Sequence, residues 1–540
     1  MNSRETILNS VERFHDRVFL IDSGTDREIS YEDFHRKVCA LAADLRARGV
    51  RKGDRIAVMM SNCWELAVLY FACIYLRAVI VPVNPTLSRN EIHFILTSAK
   101  PAITIADSAH ASTLREFHQN VYVLLTSRDA VDPSNSAGKL VVDALTLDPR
   151  DSASDFIPLE NAGPEDLVVI MYTSGTSARP KGVAHKLASM LRNATAFAAA
   201  QRIDHNSRFY LTLSMAYMGG FYNLLILPFL CGASVVIDHV FDARSSLNFW
   251  DKAKKHNANT LWMSPTVLSI LLRMDRGRTG EEFCRSSVRH AFVGFAPLPL
   301  KVKDEFETRY GLHLIENYGL SETLFVTARS RETLPVSGYV GEALPGLELR
   351  IVDDQGHEAP AGDDGEIQIL TPDLMSGYLD SEGRLLEINP ADWFSTGDVG
   401  HLDSQGSLAI TGRKKDLIIR GGVNISPAAI EEVLAQVGGI SEAVVVSIPH
   451  ELYGEDVVAV LKLEPGIEFD AILDSVVAHA RVNLAQHQQP ARYIAIDEFP
   501  RTANGKIQKA RIRELVAQKL QLSITAPSRR PAMEGAGMRH

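Results

Sequence analysis

Cysteine is scarce in this chain, no long apolar run goes uninterrupted, and positive charge is not in excess; each shortage removes a class of function. The five cysteines in 540 residues, Cys39, Cys63, Cys73, Cys231 and Cys284, are scattered and never form a CxxC pair. An odd, dispersed set gives neither a disulfide framework nor a metal-binding one, and each is read as a small buried apolar residue. Lys and Arg number 56 against 66 Asp and Glu, a formal charge of −10. A general nucleic-acid surface needs the opposite sign, although a local basic pocket is compatible with this balance. The longest apolar stretch, 66–83, is broken by Arg77 and contains Pro82. It reads as a buried helix running into a strand rather than a membrane span. The first eighteen residues lack the apolar core of a signal peptide, so the expected compartment is the cytoplasm.

What is present is a large apolar fraction, 46%, in a chain too long for one ordinary domain. Helical and strand patterns alternate early. Helical spacing runs over 31–48 and 64–76, and short apolar strands over 55–60, 79–83, 234–238, 260–263 and 289–293. Repeated strand-then-helix order predicts parallel sheets covered by helices. From Gly346 two alternating strands flank a Gly/Asp/Pro-rich turn, which predicts an antiparallel β region. The expected fold class is α/β: a large N-terminal domain, 1–413, of parallel-rich αβαβα layers plus a β region, then a small α+β domain, 414–525. The tail 526–540 has almost no large apolar residues and reads as disordered.

One loop invites chemistry. The apolar run 166–172 leads directly into Thr173-Ser174-Gly175-Thr176-Ser177-Ala178-Arg179-Pro180-Lys181-Gly182. Hydroxyls and backbone N–H groups in such a loop can donate to phosphate oxygens, glycine allows close approach, and Lys181 and Arg179 add positive charge. The string is not a Walker loop, because no GK[ST] follows at the required spacing. A Ser/Gly linker is the bland alternative.

Residues 172–183 (YTSGTSARPKGV) resemble the phosphate loop of the adenylate-forming superfamily, which comprises acyl-CoA synthetases, adenylation domains and luciferases. Further matches follow in order: 318–323 (YGLSET), 393–398 (WFSTGD), 412–416 with 421–425, and 500–506 (PRTANGK). The resemblance covers about Thr25 to about Arg513. It implies an enzyme that adenylates a carboxylic acid with ATP and Mg²⁺, releases pyrophosphate, and passes the acyl group to a thiol.

The resemblance also assigns roles. Thr173, Ser174, Gly175, Thr176, Ser177 and Lys181 would hold the phosphates, and Glu322 the Mg²⁺, with Ser321 beside it. Asp398 would accept from the ribose hydroxyls, with Arg413 as a second contact. Gly294-Phe295-Ala296-Pro297 and the segment Asn317-Tyr318-Gly319 would form the adenine side, Tyr318 as a stacking face. Lys506, in a mobile small domain that rotates between the two steps, would serve adenylation, and Lys415 would mark the hinge. On residue type alone Glu322 could cap a helix after Ser321, and Asp398 could be a turn residue satisfying its own backbone.

Three departures stand out: Phe295 where relatives carry Gly or Ala, Ala178 where Gly is usual, and Asn504 for Thr or Ser. The acyl pocket implied by the resemblance comprises Tyr217, Met218, Phe221, Tyr222 and Phe325. Met218 stands where amino-acid-activating relatives carry Asp, so a buried ammonium would lack its partner and an apolar or aromatic acid is favoured. Gly421-Gly422-Val423 resembles the loop lining a pantetheine tunnel. Coenzyme A is the favoured acceptor, with a carrier-protein phosphopantetheine as the alternative. A luciferase-like monooxygenase and a non-catalytic nucleotide-binding protein are the rivals. No nucleic-acid partner is expected, and assembly as a homodimer is left open.

Overall fold

The computed structural model describes residues 3–127, 129, 139–141, 163–173, 180–329, 338–421, 423–450, 452–501 and 507–525. The chain divides into two compact units, Met1–Ile410 and Thr411–His540.

Among the described residues, the first unit contains two parallel-rich sheets, a six-stranded antiparallel sheet and a two-stranded hairpin. In the seven-stranded sheet, Leu314–Glu316, His290–Val293, Thr260–Met263, Arg208–Leu211, Ser234–Ile237 and Val18–Asp22 are parallel neighbours in that order, and Glu28–Ser30 closes the edge antiparallel. The nine-stranded sheet runs parallel through Leu167–Thr173, Val79–Pro82, Arg55–Met59, Ile103–Ala106, Val121–Leu125 and Lys139–Val141. Strands such as Ile103–Ala106 and Ser234–Ile237 are buried throughout, as short apolar runs covered on both faces should be.

The helix Trp64–Leu76 carries apolar side chains on every face apart from Glu65, and all thirteen of its residues are buried. Its core cluster joins Phe19 and Val235 of the first sheet to Ile56 and Ile80 of the second, so a helix apolar but for Glu65 becomes shared core instead of a membrane span. Arg77 ends that helix in a left-handed conformation, φ 58°, and its Nε donates to Asp166 Oδ2 at 2.7 Å. Among the described residues, no helix is long and apolar enough to cross a membrane.

Observed elements follow the sequence pattern within a residue or so. The predicted helix over 31–48 is Tyr31–Ala47, started by Ser30, whose side chain accepts from the Asp33 N–H. The two strands expected after Gly346 are Glu348–Val352 and Gly365–Leu370, paired antiparallel in a six-stranded sheet. Several elements carry no sequence expectation: the helices Ser3–Phe14 and Lys509–Thr525, and the strand Phe394–Leu402. The tail 526–540 lies outside the described residues.

At Gly219 the chain enters a wide π turn over Gly219–Ile226. Such turns are rare and cluster at functional sites. Gly220 is required there, because a Cβ would lie 2.3 Å from the Ser214 carbonyl oxygen.

The second unit is a small α+β body. Ile440–His450 and Gly454–Leu463 form a long hairpin, Arg492–Ala495 lies parallel to its second strand, and Ile418–Arg420 with Val423–Ile425 complete five strands. Two buried clusters form, one with the helices Pro427–Ala435 and Phe469–Asn483, the other with Ile512 and Val516 of the last helix.

Candidate active site

The hydroxyl-rich loop springs from a hairpin. Leu167–Thr173 pairs antiparallel with Lys181–Lys186, and the register sets Tyr172 opposite Gly182 and Thr173 opposite Lys181. Ser174, Gly175, Thr176 and Ser177 lie outside the described residues. Thr173 is half-buried and Lys181 exposed at the two bases of the loop. The next strand, Gly377–Leu379, pairs with Lys181–Lys186 and brings Tyr378 beside the loop. The Lys181 ammonium stands 5.2 Å from the centre of the Tyr378 ring, a cation–π contact.

Tyr378 in turn donates from its hydroxyl to Glu322 Oε1 at 3.0 Å. Burial, then the Glu322 carboxylate, pushes the Tyr378 hydroxyl well above the ordinary phenol value, so it stays a donor. One ring thus links residues 181 and 322, far apart in sequence.

Glu322 sits at the tip of a minimal hairpin, Gly319–Leu320 against Leu324–Phe325. The strands approach so closely that a Cβ on Gly319 would meet the Leu324 carbonyl oxygen at 2.2 Å, and Leu324 itself has φ 60°. The helix-cap alternative for Glu322 is therefore overturned: Ser321, Glu322 and Thr323 form a hairpin turn.

Three groups clamp that turn. His185 Nε2 donates to the Ser321 carbonyl at 2.6 Å, Met375 N–H to the Glu322 carbonyl at 2.8 Å, and Leu320 N–H to Thr323 Oγ1 at 3.2 Å. His185 is fully buried, and burial lowers its pKa to about 4 against the opposing pull of the Ser321 hydrogen bond. The imidazole is neutral at ordinary pH and acts as a fixed donor.

The base of the same hairpin reaches the third motif. The Tyr318 hydroxyl donates to Asp398 Oδ2 at 2.7 Å, and Asp398 is 4% exposed. Asp398 lies within the strand Phe394–Leu402, next to Gly397 at φ 71°, where the pairing with Gly365–Leu370 shifts register. A bulge re-aims a side chain at such a point. The turn-residue alternative for Asp398 fails, since its carboxylate serves Tyr318. Tyr318 is itself a core residue, packed with Val326 and Ile367, so little of its ring faces outward.

The segments expected on the adenine side occupy the carboxyl ends of parallel strands, the place where α/β sheets bind ligands. Gly294 follows the strand His290–Val293, and Asn317 follows Leu314–Glu316. Asn317 Nδ2 donates to the Val293 carbonyl at 3.3 Å, tying the two strand ends together. Phe295 departs from ordinary backbone, with φ 74° and 44% of its surface exposed. Ala296 is half-buried and Pro297 exposed.

The residues expected around an acyl group divide in two. Tyr217 and Met218 are half-buried, and burial raises the Tyr217 hydroxyl against a hydrogen bond with Asn84. Phe221, Tyr222 and Phe325 are deep in the core. The Phe325 ring stacks on Phe197 at 3.9 Å, Phe221 meets Tyr70 edge-on at 5.1 Å, and the Tyr222 hydroxyl donates to Asn193 Oδ1 at 2.8 Å. In this structure those three serve packing.

In the second unit, Arg413 ends the strand Ser407–Arg413 and Lys415 is exposed on the short turn Lys414–Asp416. Gly421 has φ 60° in the turn between Ile418–Arg420 and Val423–Ile425, and Val423 is exposed. Gly422 and Lys506 lie outside the described residues. Among the described residues, no group of three or more His, Cys, Asp or Glu side chains forms a metal cage. Sequence reasoning missed His185 and Tyr378, which strand pairing brings to the site, and Asn84, which lies beyond the strand Val79–Pro82 and hydrogen-bonds Tyr217.

Comparison with known proteins identifies the family. The family model described as "AMP-binding enzyme" matches residues 7–379, and that of the "AMP-binding enzyme C-terminal domain" matches 429–506. The indoleacetate–CoA ligase of Aromatoleum aromaticum is 30% identical over 92% of this chain and 94% of its own. The long-chain-fatty-acid–CoA ligase of Bacillus subtilis is 28% identical over 94% of this chain and 93% of its own. The crystal structure of ATP-bound MatB from Rhodopseudomonas palustris superimposes with a TM-score of 0.82 at 27% identity, over 95% of this chain and 99% of that one.

Proposed function

The chain belongs to the AMP-binding enzyme family, and from that premise we propose that it is an acid–CoA ligase. It adenylates a carboxylic acid with ATP, then transfers the acyl group to coenzyme A. The observation that carries the reading is the linkage of Lys181, Tyr378 and Glu322, continued through the hairpin to Tyr318 and Asp398. Lys181, Glu322 and Asp398, the residues we assign to phosphate, metal and ribose, are thereby connected through one set of contacts.

The chemistry follows from charge. A carboxylate oxygen attacks the α-phosphorus of ATP, the bond to the bridging oxygen breaks, and pyrophosphate leaves with its electron pair. Both reactants are anions, so the enzyme must hold them in line and neutralise the charge that builds on the departing oxygens. The Thr173–Lys181 loop supplies donors and one ammonium, and Asp398 fixes the ribose. In the second step the thiol sulfur attacks the acyl carbon, AMP departs, and the thiol proton is released. Lys506 is assigned to the first step from its motif alone.

Mg²⁺ fits the donor set. It binds through one or two carboxylates together with substrate phosphates rather than in an all-protein cage. Glu322 offers such a single carboxylate at a hairpin tip, Oε1 held by Tyr378. When bound, the ion neutralises phosphate charge. His185 and Tyr378 hold the carboxylate in place through the Ser321 carbonyl and Oε1 respectively.

Relatives supply the acceptor. Those quoted above are named as CoA ligases. The test incubates the protein with ATP, Mg²⁺ and a panel of acids, offering coenzyme A or a phosphopantetheinylated carrier protein as acceptor. The expected result is one AMP and one pyrophosphate per acyl-CoA formed. Thioester on the carrier alone would overturn the assignment in favour of an adenylation enzyme.

A further inference from the structure

We propose that Phe295 is a specificity-determining residue of this ligase, one wall of the acyl site that admits short, flat, apolar acids and turns away long linear ones. The inference rests on the function proposed above and names its substrate class. Four observations converge on it.

The first is backbone strain. Phe295 holds φ 74°, a region that bulky side chains avoid and that glycine enters freely. Such a conformation persists where the surroundings dictate it, and it clusters at ligand sites. The second is exposure. Phe295 is 44% exposed although large aromatics gain most by burial, so among the described residues one face of it stays uncovered.

The third is the fit to Gly219. A Cβ on Gly219 would lie 2.9 Å from both Cε1 and Cζ of the Phe295 ring and 3.2 Å from Leu213 Cδ1. The ring edge is thus seated in the space that any other residue at 219 would fill. Gly220 beside it is equally constrained, by the Ser214 carbonyl. The wall therefore stands on a stiff base.

The fourth is the chemistry nearby. The segment on which the ring rests continues into Tyr217 and Met218, both half-buried, with the Tyr217 hydroxyl turned to Asn84. Phenylalanine, tyrosine, methionine and leucine present aromatic faces and a polarisable sulfur, which suit a planar apolar body. Leu213, Tyr217, Met218, Gly219 and Phe295 are themselves uncharged and offer no partner to a second acidic group. The class selected is an aryl or arylacetic monocarboxylic acid.

The experiment compares kcat/KM for phenylacetate and for decanoate in the wild-type protein, Phe295→Gly and Phe295→Tyr, with melting temperature recorded for each. Glycine suits the positive φ, so this truncation relieves strain while it removes the wall. Wild type is expected to prefer phenylacetate. In Phe295→Gly the decanoate-to-phenylacetate ratio should rise at least tenfold, and in Phe295→Tyr it should stay within about twofold of wild type. A ratio unchanged in Phe295→Gly, a wild-type preference for decanoate, or a shift in Phe295→Tyr as large as in Phe295→Gly would each overturn the proposal. Because a ratio is read, an effect through ATP or through folding alone, which would lower both acids together, counts against it. Failure of every acid to release pyrophosphate in the wild type would instead refute the ligase reading itself.

Discussion

Replacing His185 by Gln should make the first unit less sensitive to acid, by an amount that the structure sets. The imidazole is fully buried between strands and its pKa falls from 6.5 to about 4. The sign follows from which state binds the proton first. The unfolded chain protonates His185 as pH drops through about 6.5, whereas the folded chain resists until about 4. The stability that neutral His185 contributes is therefore intact above about pH 6.5 and is lost progressively between there and about pH 4. A shift of about 2.5 units at about 1.4 kcal/mol each caps the loss at ~3 kcal/mol, and about 2 kcal/mol of it is realised by about pH 4.5.

All four tryptophans, Trp64, Trp250, Trp262 and Trp393, lie in the unit Met1–Ile410. Urea unfolding of the full chain followed by tryptophan fluorescence thus reports on the unit that holds His185. Glutamine retains a donor for the Ser321 carbonyl but cannot titrate. Between about pH 7 and about pH 4.5 the variant should lose about 2 kcal/mol less than wild type, beyond the carboxylate losses common to both. Equal losses would show that His185 is not a buried neutral donor, and the clamp on the Glu322 turn would lose its main support.

Two further perturbations address the site directly. Tyr378→Phe removes the hydrogen bond to Glu322 while keeping the ring beneath Lys181; a bond to a charged group is worth about 1.5–3 kcal/mol. We expect kcat/KM for ATP to fall about 10- to 100-fold with a raised Mg²⁺ requirement, and an unchanged Mg²⁺ titration would count against Tyr378 as the residue that positions the metal carboxylate. Asp398→Ala leaves the Tyr318 hydroxyl unpartnered at that bond, so thermal melting should show a loss of about 1–3 kcal/mol. ATP KM should rise more than acid KM, and an equal rise in both would contradict the ribose role.

The sequence made the architecture legible where signals are local. Apolar runs such as 55–60 and 260–263 announce buried parallel strands, and the alternation either side of the turn at 354–365 announces antiparallel ones. The motifs around Thr173, Glu322 and Asp398 were legible through a family resemblance carried by contiguous residues, since residue type alone left Glu322 and Asp398 open. What joins them was not. Tyr378 reaches both Lys181 and Glu322 only through the pairing of Gly377–Leu379 with Lys181–Lys186, a register no local pattern encodes.

The acyl segment was hard for a different reason. Phe221, Tyr222 and Phe325 carry the composition of a pocket wall and of a core equally well, and packing decided for the core. The turn at Ser321–Thr323 shows the same ambiguity, since serine followed by glutamate suits a helix start as well as a hairpin tip. The close approach of Leu324 to Gly319, visible only in three dimensions, resolved it. Phe295 ran the other way: its unusual identity was plain in the sequence, and its left-handed backbone and its seat on Gly219 give that oddity a physical meaning.

The account stands most directly on acid-dependent exchange of labelled pyrophosphate into ATP, measured without any thiol. If a carboxylate displaces pyrophosphate at the site that Lys181 and Glu322 share, label should enter ATP once a suitable acid and Mg²⁺ are present, and Glu322→Gln should reduce that exchange by at least an order of magnitude. Exchange that requires coenzyme A, or that proceeds undiminished in Glu322→Gln, would contradict it.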